Sequence, residues 1–271
     1  MSGSIESVRA HYNAIGLTER IATALLAIAP ADQVLTPSEL APLDHFHTRG
    51  ALATAELAAA AKVGRSTRAL DIGCGIGGPA RYLTATFGCA VVGVDLSPAF
   101  IDAARYLTER CGLAGNLRFE VGDALHLPVE AGAFDAVFLQ HVAMNIEDRA
   151  RLYAEVRRVL APGGRFATYD LVLREGETLY PVPWARDAST SFLLTEGATR
   201  TALESAGFEV ETWRDDTEPA LEGFKGAGAR PASGLNLGVV MGADFPTLAG
   251  NLARNLREGR LGVLTAVVTA P

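Results

Sequence analysis

The sequence is poor in the residues that mark several protein classes. Lysine occurs only at Lys62 and Lys225, so nearly all the positive charge is arginine, and the acids outnumber the bases to a formal charge of −7. A surface with that balance does not neutralise a phosphate backbone, which argues against nucleic acid as a partner. Cysteine is confined to Cys74, Cys89 and Cys111, with no C-x-x-C pair and no spacing to histidine that would hold a metal. Neither a disulfide framework nor a metal site is expected. Long apolar runs are missing as well: Ile21 to Ala31 is too short to span a bilayer, and the start MSGSIESVRAHY is polar and mixed in charge. The expectation is a cytoplasmic protein without membrane insertion. What the chain does have is apolar content, 49% of 271 residues, enough for one large core with additions.

Residues 4–62 pattern as helices, with the apolar run at 21–31 and then Gly50 to Lys62, stopped by Gly64. From Thr67 onward short apolar runs alternate with amphipathic stretches, the pattern of strands and helices around a parallel sheet. RALDI, AVVGVD, LRFEVG, FDAVFLQ and RFATYDLV read as successive strands, with FEVETW and LGVLTAVVTA as two more. Helices are expected over Gly78–Phe87, Pro98–Cys111, Glu147–Leu160 and Thr195–Ala206. The long aromatic stretch LREGETLYPVPWARDASTSF has the length of a lid or binding loop. Residues 223–234, rich in small side chains, read as a flexible surface loop.

Within LDIGCGIGGPARYL, Gly73, Gly75 and Gly78 match G-x-G-x-x-G between a strand and a helix. Such a loop admits a ligand to the backbone at a helix N-terminus, and in dinucleotide enzymes that ligand is a pyrophosphate. Asp71 weighs against this, because a carboxylate just ahead of the first glycine repels phosphate and suits positive charge. S-adenosylmethionine, with an ammonium, a sulfonium and no phosphate, meets that requirement. Asp95 closes the second strand ahead of Ser97 and Pro98, which read as an N-cap and first-turn proline. It is placed to accept hydrogen bonds from both ribose hydroxyls. Asp123 follows the third strand within reach of an adenine amino group, and Ala124 and Leu125 offer backbone and apolar contact.

DIGCGIGG, VDLS, GDALHLP and RVLAPGGRF, in that order, resemble the motifs of class I S-adenosylmethionine-dependent methyltransferases over roughly residues 45–270. The resemblance implies an α/β fold: a seven-stranded Rossmann-like sheet in the order 3-2-1-4-5-7-6 with strand 7 antiparallel. It implies a helical segment, 1–63, covering the cofactor site, and a core, 64–271, with a lid insertion at about 173–194. More narrowly, the helical prefix, FHTRG and PVPW are similar to small-molecule methyltransferases of the sarcosine/dimethylglycine and quinone-methylating branches.

Cofactor contacts are then expected from Asp71, Gly73, Cys74, Gly75, Asp95, Leu96, Asp123, Ala124, Leu125 and Gln140. His141, directly after the fourth strand, is the candidate general base, although many relatives carry an acid near here and this chain has none before Glu147. Tyr12, Met144, Asn145, Trp184 and Phe192 are the candidate substrate contacts, and His45 and His47 read as exposed loop histidines. The expected reaction is methyl transfer to an oxygen or nitrogen of a polar small molecule, leaving S-adenosylhomocysteine, by a monomer or homodimer. The alternatives are an S-adenosylmethionine-binding protein with non-methylating chemistry and a nicotinamide-dependent oxidoreductase.

Overall fold

The computed structural model describes residues 16–227 and 235–271. Its centre is a seven-stranded sheet in the order β3-β2-β1-β4-β5-β7-β6. The strands are β1 Arg68–Ile72, β2 Ala90–Asp95, β3 Leu117–Val121, β4 Phe134–Gln140, β5 Leu160–Leu173, β6 Glu209–Asp215 and β7 Leu261–Thr269. β1 to β5 are parallel, and β7 runs antiparallel between β5 and β6. Order and direction are those the motifs imply.

The helices are α1 Leu17–Leu26, α2 Pro37–Asp44, α3 Ala51–Ala60, α4 Gly78–Phe87, α5 Pro98–Arg110, α6 Arg149–Val159, α7 Glu196–Ser205, α8 Thr217–Ala227, α9 Gly238–Met241 and α10 Phe245–Arg257. Strands buried on both faces lose the polar alternation of a surface strand. Thus Ala136 and Phe138 of β4 pack in one layer with residues of α3, α4, α8 and α10, while Val137 and Leu139 pack in the other with α6 and α7. A third cluster joins α1, α2, α5 and α9 through Ile21, Leu40, Phe100, Leu107 and Val240. α1, α2 and α9 therefore build one cap together.

The glycine loop is held by close packing. A Cβ on Gly78 would lie 2.1 Å from the backbone oxygen of Asp44, so this glycine lets α2 rest on the start of α4. Gly73 has φ +69°, and a Cβ there would meet Val142 at 2.3 Å. Beneath the cap, Arg81 is fully buried and donates to Asp44 (2.7 Å), Thr108 (3.2 Å) and the carbonyl of Ala104 (3.3 Å).

Several expectations need correction. β5 begins at Leu160, directly where α6 ends. The loop expected at 223–234 starts as helix, since α8 continues through Ala227, and 228–234 lie outside the described residues. α10 is not among the expected helices, although Leu248, Leu252 and Leu256 recur at helical spacing and are buried. His45 and His47 are buried, not exposed, at 4% and 6% accessibility. Tyr12 lies outside the described residues.

Candidate functional site

A cavity of about 300 Å³ opens at the C-terminal ends of β1 to β4, a size within the range of small-molecule sites. Its wall on the β1–β3 side carries Gly73, Gly75, Asp95, Leu96, Asp123, Ala124 and Leu125. Asp95 is fixed there by its neighbours: Oδ2 accepts from the Gly75 N–H and Oδ1 from the Ser97 N–H, both at 2.9 Å. A carboxylate has about four acceptor positions, so lone pairs remain for a ligand's hydroxyls. Burial pushes Asp95 up to about 6, against the lowering effect of the N–H groups of Ser97, Gly75 and Leu96. Asp123 shapes its own turn, accepting from the Leu125 N–H at 2.9 Å.

Asp71 and Cys74 are placed differently from the expectation. Neither lines the cavity; both are buried beneath the loop. Asp71 Oδ2 has no hydrogen-bond partner, and burial, with the Asp95 charge adding to it, pushes the carboxyl up to about 8. Cys74 fills space, and burial holds its thiol well above the ordinary range. Glu147 and Asp148 stand exposed at the rim, and no lysine or arginine is present among the described lining residues. The acidic side chains of the described lining, with no lysine or arginine among them, disfavour a pyrophosphate; a cationic adenosyl ligand fits this donor and acceptor set.

The β4 side carries Gln140, His141, Val142, Met144 and Asn145. His141 has φ +53°, a left-handed conformation that costs a non-glycine residue free energy. Its surroundings impose this: the His141 N–H donates to the Tyr169 carbonyl at 2.8 Å, and the ring stacks on Tyr169 at 5.4 Å. Asp170 holds the turn that follows, accepting from the Ala143 N–H at 2.8 Å. Burial lowers His141 to about 3, so its imidazole is neutral across the physiological range. Behind it the Tyr169 and Thr48 hydroxyls are 2.8 Å apart. Thr54 Oγ1 lies 3.2 Å from His47 Nε2 and 3.0 Å from Gln140 Oε1, and Gln140 Nε2 is buried without a hydrogen-bond partner.

The opposite wall is apolar and comes from segments far apart in sequence, Trp184, Met241, Phe245 and Leu252, while Phe46 packs against Gly75 on the glycine-loop side. Trp184, in the expected lid, is 2% exposed and donates through Nε1 to Ser191 at 3.0 Å. The lid is fastened to α10, because Asn255 binds the Leu179 backbone through both amide ends (2.8 and 2.9 Å). Phe192 contributes backbone, not wall: its N–H donates to the Met144 carbonyl at 2.8 Å, and its side chain does not line the cavity. Sequence reasoning missed Phe46, Met241, Phe245 and Leu252. Phe46 lies inside FHTRG, and the leucine spacing of α10 is the available signal for the last two.

Comparison with known proteins bears on this geometry. Residues 70–168 match the family described as "Methyltransferase domain". The chloroplastic tocopherol O-methyltransferase of Arabidopsis thaliana is 42% identical over 98 residues, covering 36% of this chain and 28% of that protein. A sterol 24-C-methyltransferase of Neurospora crassa is 27% identical over 229 residues, covering 79% of this chain and 58% of the relative. Across such curated relatives the match spans 27 to 58% of their length. Among solved structures, the geranyl diphosphate C-methyltransferase of Streptomyces coelicolor A3(2) superposes with a TM-score of 0.71 at 19% identity, covering 99% of this chain and 98% of that one.

Proposed function

From the premise that residues 70–168 are a methyltransferase domain, within a chain of the class I S-adenosylmethionine-dependent methyltransferase fold, we propose that this protein transfers a methyl group from S-adenosylmethionine to a small-molecule acceptor with an apolar body. The observation that carries the reading is Asp95, fixed by two backbone N–H groups on a wall that also bears Asp123 and no basic side chain. Asp95 receives the ribose hydroxyls, and Asp123 with Leu125 the adenine. Gly73 and Gly75 bring the backbone of the loop to the cavity surface.

The cofactor supplies an already activated methyl group, so the protein's part is alignment and exclusion of water. Trp184, Phe245 and Leu252 exclude water on the acceptor side. His141, neutral and on the cavity wall, accepts a hydrogen bond from the reacting group, which we take to be an oxygen or nitrogen. The apolar wall narrows the earlier expectation of a polar acceptor to one whose polarity is confined to its reacting end.

The test is isotope transfer from methyl-labelled S-adenosylmethionine to phenols and alcohols bearing hydrocarbon tails. Label should enter the organic phase in step with formation of S-adenosylhomocysteine. Consumption of a tailed compound while all label stays on the cofactor would instead establish the non-methylating alternative.

A further inference from the structure

The amino-acid end of S-adenosylmethionine carries an ammonium and a carboxylate, and the cavity does not provide for them equally. Resting on the methyltransferase reading, we propose that the site recognises the ammonium and gives the carboxylate no anchor, so that its ligands include adenosyl thioethers and sulfoniums that end in a bare amine. The inference comes from where the hydrogen-bond donors around the cavity already go.

A protein commonly holds a carboxylate with free backbone N–H groups, with the first turn of a helix, or with a basic side chain. In the glycine loop the N–H groups are spent. Those of Gly73 and Cys74 both donate to the Val94 carbonyl (2.8 and 3.1 Å), that of Gly75 to Asp95 Oδ2 (2.9 Å), and that of Gly77 to the Cys74 carbonyl (2.9 Å). The β4 turn, whose Val142 packs on Gly73, is spent likewise. The His141 N–H goes to the Tyr169 carbonyl (2.8 Å), that of Ala143 to Asp170 (2.8 Å), and those of Asn145 and Ile146 to the carbonyls of Val142 (3.0 Å) and Ala143 (2.9 Å).

The first turn of α4 is closed off as well. Gly77, Gly78 and Pro79 do not line the cavity, and the Asp44 backbone covers Gly78. As for side chains, the described lining holds no lysine or arginine, whereas Asp95, Asp123, Glu147 and Asp148 belong to it. His141 is neutral, since burial lowers it to about 3, and His126 stands 3.8 Å from Asp123. The amides of Gln140 and Asn145 carry no formal charge. A carboxylate taken into such a lining loses its hydration without gaining a cation, and one left in solvent gains nothing; either way it adds little to affinity. An ammonium in the same field of acids is favoured.

Calorimetry on the unaltered protein with three thioethers tests this. They are S-adenosylhomocysteine, its decarboxylated form with an aminopropyl arm, and its deaminated form with a carboxypropyl arm. The aminopropyl compound should bind within about threefold of S-adenosylhomocysteine or more tightly, and the carboxypropyl compound at least about tenfold more weakly than the aminopropyl one.

A larger loss on removing the carboxylate would overturn the inference, because it would show an anchor for that group. So would a smaller gap between the two singly charged compounds, which would show that the site does not select the cation. These orderings leave the methyltransferase reading standing as long as S-adenosylhomocysteine binds. Failure of all three thioethers and of S-adenosylmethionine to bind would instead bring down that reading, and this inference with it.

Discussion

At the scale of single residues, Asp95 and His141 carry the sharpest consequences. Replacing Asp95 with Ala removes charge-assisted hydrogen bonds worth roughly 1.5 to 3 kcal/mol, so cofactor affinity should fall about ten- to a hundredfold. Titration calorimetry on the folded variant checks this, and unchanged affinity would remove Asp95 from the site. Its raised value, about 6 in the ligand-free protein, adds a pH dependence. A cationic cofactor favours the ionised carboxylate, so affinity should climb by up to about tenfold per pH unit below 6 and level off above it. A flat profile in the native protein would show that Asp95 does not titrate in contact with the cofactor. For His141 the sign is opposite. Burial lowers it to about 3, so it stays neutral through the working range and contributes no acidic limb near 6.5. The single-turnover rate of methyl transfer should therefore show no limb there that His141→Asn abolishes; finding one would mean the imidazole titrates where an exposed histidine does. The residue types at these strand ends were legible in sequence because acids spaced strand by strand have few other uses. That Asp71 and Cys74 sit under the loop was not legible, since spacing gives proximity and not depth.

At the scale of elements, the fastening of α2 to α4 is the feature most open to test. Arg81 and Asp44 are both buried, with the guanidinium also reaching α5 through Thr108 and Ala104. Removing one partner leaves an uncompensated buried charge, at a cost of about 3 to 5 kcal/mol. Asp44→Ala should therefore shift urea unfolding strongly. It should also weaken S-adenosylhomocysteine binding, because Phe46, two residues on, lies against Gly75 at the cavity wall. The double change Asp44→Leu with Arg81→Met should recover much of the stability; if Asp44→Ala unfolds as the native protein does, the fastening contributes nothing. The strands and the core helices around them could be read from apolar runs and caps. α10 could not be read so easily: FPTLAGNLARNLR opens with a proline and mixes glycine and asparagine, which masks Leu248, Leu252 and Leu256. Missing that helix also hid the role of Asn255, whose amide pins the lid to it.

At the scale of the whole molecule, the site divides into a half that sequence order reveals and a half that only folding assembles. The cofactor wall follows the chain strand by strand from Gly73 to Leu125 and is written in consecutive motifs. The acceptor wall draws Trp184 from the lid, and Met241, Phe245 and Leu252 from the segment between β6 and β7. No local pattern links those positions, so the apolar character of the acceptor emerges only in three dimensions. Calorimetric titration of the unaltered protein with S-adenosylmethionine, S-adenosylhomocysteine and NAD in one buffer decides whether the acidic cavity takes a cationic adenosyl cofactor or a dinucleotide. Saturable one-to-one binding of both adenosyl compounds, with no heat from NAD, is the predicted result; saturable binding of NAD with silence from both adenosyl compounds would contradict it.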